Sequence, residues 1–142
     1  MSNALIVYST RAGETQNIAE YIAEGLRFAG VTAKLANANK IQNEEDLQGY
    51  DAYVFGSATY HGEMMQAMKT MLFLAAKLDL AEKVGGSFGA FGWSGEAPDR
   101  IYETMENIFK MKMVGTPLRL KSSLLQGGSK NSCLKLNSTL NV

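Results

Sequence analysis

The chain has 142 residues, 46% of them hydrophobic and 20% charged, with 14 Lys and Arg balanced by 14 Asp and Glu. That length suits a single domain, spanning 1–142, able to bury a core without disulfides or structural metals. Zero net charge with no basic run argues against a nucleic-acid partner, because clustered Lys and Arg supply most of that affinity. Cys133 is the only cysteine, which rules out an internal disulfide or a thiolate metal cluster, and the only histidine, His61, has no metal-ligand spacing to the scattered carboxylates. No apolar run approaches the ~20 residues of a membrane span, and no charged segment precedes an apolar leader. A cytoplasmic protein without membrane partners is expected.

In chain order, Leu5 to Tyr8 is a continuous apolar strand. Thr10 to Thr15 forms a hydroxyl- and glycine-bearing turn, and from Gln16 to Phe28 the residues Ile18, Ala19, Ile22, Ala23 and Leu26 recur at helical spacing until Gly30 ends the pattern. Thr32 to Ala36 is a short strand candidate, followed by a polar segment from Asn37 to Gln48. Tyr53 to Phe55 reads as a buried strand, and Glu63 to Leu78 as a helix with Met64, Met68, Met71, Leu72 and Ala75 on one face. Ser87 to Phe91 is the next strand, Ala97 to Lys110 the next helix, and Met113 to Leu120 the last strand. The methionines sit at core spacing rather than in any ligand pattern.

Apolar strands alternating with amphipathic helices predict an α/β domain with a parallel sheet covered on both faces. Ligands of such sheets bind beyond the carboxyl ends of the strands. Three of those ends are chemically distinctive. The first is Thr10 to Thr15, where hydroxyls, backbone amides and a helix N-terminus would converge on an anion. It matches neither a P-loop nor G-x-G-x-x-G, and taken alone it serves as well for helix capping as for phosphate binding. The second is Gly56-Ser57-Ala58-Thr59-Tyr60-His61-Gly62, and the third is Phe91-Gly92-Trp93-Ser94-Gly95-Glu96. An anion loop beside loops carrying Tyr60 and Trp93 describes a cleft for a planar heterocycle with a phosphate tail.

These three segments, in this order and spacing over roughly residues 1–120, resemble the flavodoxin family. The resemblance is nearest to the flavodoxin-like FMN domain of flavodiiron proteins. It implies a doubly wound five-stranded parallel sheet in the order 2-1-3-4-5, with FMN as cofactor. Carried onto this sequence, Ser9, Thr10, Arg11, Ala12, Gly13, Glu14 and Thr15 would hold the phosphate through hydroxyls and amides. Ala58, Thr59, Tyr60, His61 and Gly62 would form the second flavin loop, and Phe91, Gly92, Trp93 and Gly95 the third, with Trp93 stacked on the ring. At Ala12 the chain lacks the hydroxyl of many simple flavodoxins, as flavodiiron domains do. The peptide between His61 and Gly62 falls where the family presents a carbonyl to the flavin, and a glycine there would let it flip as electrons arrive.

The resemblance further implies an electron carrier, cycling one electron at a time between redox proteins, rather than an enzyme with its own substrate. A reductase or oxidase of quinones or of a protoporphyrinogen-like substrate, and a flavin-free binding module of the same fold, are the alternatives. Zero net charge departs from the acidic surface of stand-alone flavodoxins. The stretch 120–142 departs as well. Gly127, Gly128 and the Asn and Ser residues disfavour the family's closing helix, and Leu134, Leu136, Leu140 and Val142 repeat at period two, so the C-terminal helix is expected to be atypical or missing. Apolar sheet surface would then lie open unless a second subunit buries it, which makes a homodimer one expectation.

Overall fold

The computed structural model describes residues 3–10, 13–60, 63–81, 83–91, 96–113 and 118–121, with the backbone alone for residues 14, 59, 60, 63, 90, 91, 96 and 118–121. Strand β1 (Asn3–Ser9) lies at the centre, between β2 (Thr32–Asn37) and β3 (Ala52–Ser57), and both pair with it in parallel. Strand β6 (Val84–Phe91) pairs parallel to β3, and its other side carries two short parallel strands, β7 (Lys112–Met113) and β8 (Leu118–Lys121). The order is thus β2-β1-β3-β6 followed by a divided fifth strand, as expected from the sequence. A separate two-stranded hairpin joins β4 (Thr59–Tyr60) to β5 (Glu63–Met64).

The apolar runs of β1 and β3 are continuous because both faces of the sheet are covered. Leu5, Val7, Tyr53 and Phe55 face one core, shared with Met68, Met71, Leu72 and Ala75 of α2 (Gln66–Ala75) and with Ile101 of α3 (Glu96–Glu103). Ala4, Ile6 and Val54 face the other, where Ile18, Ala19, Ile22, Ala23 and Leu26 of α1 (Glu14–Phe28) close over them. All five of those α1 side chains are buried, so the helical spacing read from the sequence marks the packed face. The helix ends where Gly30 turns left-handed at φ 91°, with Gly30 N–H bonded to Arg27 O and Val31 N–H to Leu26 O.

Three elements differ from the sequence-based expectation. Glu63 and Met64 do not open α2: they form β5 of the hairpin, and the helix begins only after Met65, whose backbone is extended. Helical periodicity overran this boundary because Met64 also faces the core from its strand. The helix expected over 97–110 is α for Glu96–Glu103 and then widens into a π turn at Thr104–Ile108, with Phe109 N–H bonded to Thr104 O. The extra residue keeps Met105 and Phe109 in the core and turns Ile108 out, 67% exposed. The strand expected over 113–120 is two pieces, one on each side of residues 114–117. The expectations for the C-terminal stretch, including the missing helix and the dimer it would invite, lie outside the described residues.

Between β2 and β3 the chain makes two 3₁₀ turns, Ala38–Lys40 and Glu44–Leu47, the second closed by a capping box between Asn43 and Asp46. This segment is held down by the buried Tyr53 hydroxyl, which donates to Leu47 O at 2.7 Å. Burial pushes the Tyr53 phenol above its ordinary value of 10.0, since the charged form would lose its water. The stability this contributes is fully present below pH 10 and is lost as pH rises through the higher pKa of the folded state. Tyr53→Phe is expected to cost about 1 kcal/mol at neutral pH and to flatten the loss of stability above pH 10, both read from urea unfolding midpoints across pH.

Candidate functional site

The site is built from strand ends that the sheet brings level. In the β1–β3 register Ser9 stands opposite Ser57, and in the β3–β6 register Gly56 stands opposite Phe88, so the turns after all three strands leave from one rim. Beyond β1, the Thr10 hydroxyl accepts from Gly13 N–H at 2.9 Å and folds the loop back toward α1. A hydroxyl that accepts keeps its own proton for a second partner. Gly13 takes φ 96°, and a Cβ there would meet no described atom within 4 Å, so the backbone angle rather than crowding calls for glycine.

Gly13 is the N-cap of α1, with no side chain to bond the first-turn amides. Gly13 O accepts from Asn17 N–H at 3.0 Å, closing the first turn and leaving the amides of residues 14 to 16 without a helical acceptor. The helix takes in Glu14 and Thr15, two residues earlier than the sequence pattern indicates. Thr15 is therefore a first-turn residue with no helical carbonyl behind it for its hydroxyl, the usual partner of a helical threonine. Its Oγ1 is fully buried and has no hydrogen-bond partner among the described residues. An orphaned buried hydroxyl is costly unless something meets it.

These features form a donor set: a loop hydroxyl, helix-end amides with no helical acceptor and a buried hydroxyl unpaired among the described residues, at the positive end of a 15-residue helix. They suit a phosphate monoester, and so fit the tail of FMN. Arg11 and Ala12 lie outside the described residues, and the Glu14 side chain is likewise undescribed.

The second loop is tied directly to the first. Ala58 N–H donates to Ser9 O at 3.1 Å, and from there the chain enters the β4–β5 hairpin through Thr59 and Tyr60. Ser57, buried at the end of β3, lies in the second distinctive segment of the sequence but was not among the residues expected to hold the cofactor. Its hydroxyl donates to Ala58 O and accepts from Met65 N–H, both at 2.9 Å. A serine at a strand end carries no signal of such a role, which depends on where Met65 returns. His61 and Gly62 lie outside the described residues.

The third loop links Phe91, the last residue of β6, to Glu96, the first residue of α3; Gly92, Trp93 and Gly95 lie outside the described residues. Its far end is pinned by the buried Ser87 hydroxyl, which donates to Pro98 O at 3.0 Å. Among the predicted site residues, then, Ser9, Thr10, Gly13, Thr15 and Ala58 meet at one rim, with the backbones of Thr59, Tyr60 and Phe91 leaving from it. Two open grooves lie elsewhere. One, of about 570 Å³, runs along β2 past Lys34, Lys40 and Tyr50, and the other, of about 330 Å³, lies between α2 and the π turn at Phe73 and Ile108. Neither is lined by a predicted site residue.

Comparison with known proteins agrees with this fold. The family described as Flavodoxin domain matches residues 5–118. Diflavin flavoprotein A 5 of Nostoc sp. is 36% identical over 99 residues, covering 68% of this chain and 17% of that protein. The flavodoxin of Maridesulfovibrio salexigens is 28% identical over 127 residues, covering 84% of this chain and 86% of that one. Rubredoxin oxygen:oxidoreductase from Desulfovibrio gigas shares the fold with a TM-score of 0.91 at 23% identity, over 99% of this chain and 35% of that one. The chain thus spans between 17% and 26% of the length of diflavin flavoproteins from Nostoc sp., and 86% of a flavodoxin. By sequence, sheet order and the loops at its rim, the chain belongs to the flavodoxin family, whose cofactor is FMN.

Proposed function

We propose that this chain binds FMN at the rim of its sheet and carries electrons one at a time between redox proteins, in a cytoplasmic setting. The observation that carries this reading is the buried, unpartnered hydroxyl of Thr15 in the first turn of α1. Thr10, Gly13 and Thr15, with the amides of Arg11, Ala12 and Glu14, would hold the phosphate. The loops carrying Thr59, Tyr60, His61 and Gly62, and Phe91, Gly92, Trp93 and Gly95, would hold the ring. When bound, FMN supplies a ring that accepts and releases electrons.

What the chain's own residues contribute is position. Donors already fixed at the helix end need no rearrangement to meet a dianionic phosphate. The Ala58-to-Ser9 hydrogen bond holds the ring-binding hairpin at a set distance from that phosphate grip. The comparisons support a flavoprotein of the flavodoxin family.

Two outcomes are expected. In a stepwise redox titration of the FMN-loaded protein, two separated one-electron steps appear, whereas a single two-electron step would count against the carrier reading, and turnover of quinones with NAD(P)H above that of free FMN would point to an enzyme. Thr15→Val replaces the orphaned hydroxyl with a methyl of similar shape. In the flavin-free protein it is expected to raise stability by about 1 kcal/mol, measured by urea unfolding. The same variant should bind FMN about tenfold more weakly while its affinity for riboflavin, which lacks the phosphate, stays unchanged, as read by quenching of flavin fluorescence.

A further inference from the structure

We infer that Ser57 is a positioning residue for the flavin ring, acting through the hairpin it anchors rather than by touching the cofactor. The inference rests on the FMN reading above. Ser57 is the last residue of β3 and is fully buried, an expensive place for a hydroxyl unless its hydrogen bonds are made. Both are made, and to chain positions seven residues apart: the Oγ donates to Ala58 O and accepts from Met65 N–H, each at 2.9 Å. Ala58 enters the hairpin and Met65 leaves it. One hydroxyl therefore closes the hairpin one step below its first paired rung, Thr59 with Met64.

The same residue is held from two other directions. Its neighbour's amide, Ala58 N–H, bonds Ser9 O at the start of the phosphate loop. Its own carbonyl is packed against β6 so closely that a Cβ on Gly89 would clash with Ser57 O and lie 2.7 Å from Pro98 Cγ. Glycine at 89 is what allows that approach, and Pro98 is in turn held through its carbonyl by Ser87. The Ser57–Ala58 unit is thus a joint between the phosphate loop, the hairpin and the first turn of α3. Loss of the hydroxyl would leave the other two ties in place and release the hairpin alone. The β4–β5 hairpin would then move relative to a phosphate grip that has not changed.

This separates Ser57 from the phosphate residues in a way that experiment reads directly. Wild type, Ser57→Ala, Ser57→Cys and Thr15→Val are titrated with FMN and with riboflavin by fluorescence quenching, and the midpoint potential of bound FMN is measured by spectral titration against redox dyes. Ser57→Ala should weaken both ligands by the same factor, about three- to tenfold, and shift the midpoint potential. Ser57→Cys, with a weaker hydrogen-bonding group of similar shape, should fall between Ser57→Ala and wild type in both readouts, and it stands in should Ser57→Ala not fold. Thr15→Val should weaken FMN alone. Unchanged riboflavin affinity in Ser57→Ala, or weakened affinity with an unchanged potential, overturns the inference. Failure of the wild type to bind FMN overturns the FMN reading instead.

Discussion

The Ala58 amide that crosses to Ser9 O joins two strand ends that already lie side by side in a parallel sheet, and every feature of the proposed site depends on that alignment. Parallel pairing puts the carboxyl ends of β1, β3 and β6 on one rim, so the turns that follow them share a crevice whatever their distance in sequence. An antiparallel partner at β3 would have sent its loop to the opposite edge. The helix-end donors of α1 and the hairpin after β3 would then have no common ligand to hold.

Under the proposed function, stability and binding pull against each other at Thr15. A fold selected for stability alone would place an apolar residue in that buried first-turn position, or give the hydroxyl a protein partner. The position instead keeps a hydroxyl whose desolvation goes uncompensated within the described residues. The helix end beside it repeats the pattern: with no side-chain cap, its first-turn amides lack a helical acceptor where an anion would meet them. Ser57 illustrates the opposite arrangement. Both of its hydrogen-bonding capacities are filled internally, which makes it stiff rather than receptive.

The π turn at Thr104–Ile108 has a different physical origin. It shifts the helix register so that Met105, Phe109 and Met111 all reach the core, and the residue displaced by that shift, Ile108, joins the exposed Phe73 beside the apolar groove between the two helices. Core packing under β6 therefore accounts for the π turn.

Sequence periodicity alone determined the succession of strands and helices, the parallel α/β class and the two core faces. A 3.6- or two-residue repeat is a local property, visible in α1 at Ile18, Ile22 and Leu26 without knowledge of what they touch. The three loops were legible too, because Thr, Gly and aromatic residues between such elements stand out from their surroundings. Tertiary structure alone decided the rest. Glu63 and Met64 pair as a strand because Tyr60 and Thr59 lie opposite them. The fifth strand is divided because each half finds its own stretch of β6. Thr15 is orphaned and Ser57 is satisfied because of which backbone groups come within hydrogen-bond reach, and for Ser57 that includes an amide eight residues on. Patterns repeat along a chain, but burial and hydrogen-bond partners are relations between separate parts of it, and only the packed sheet supplies them.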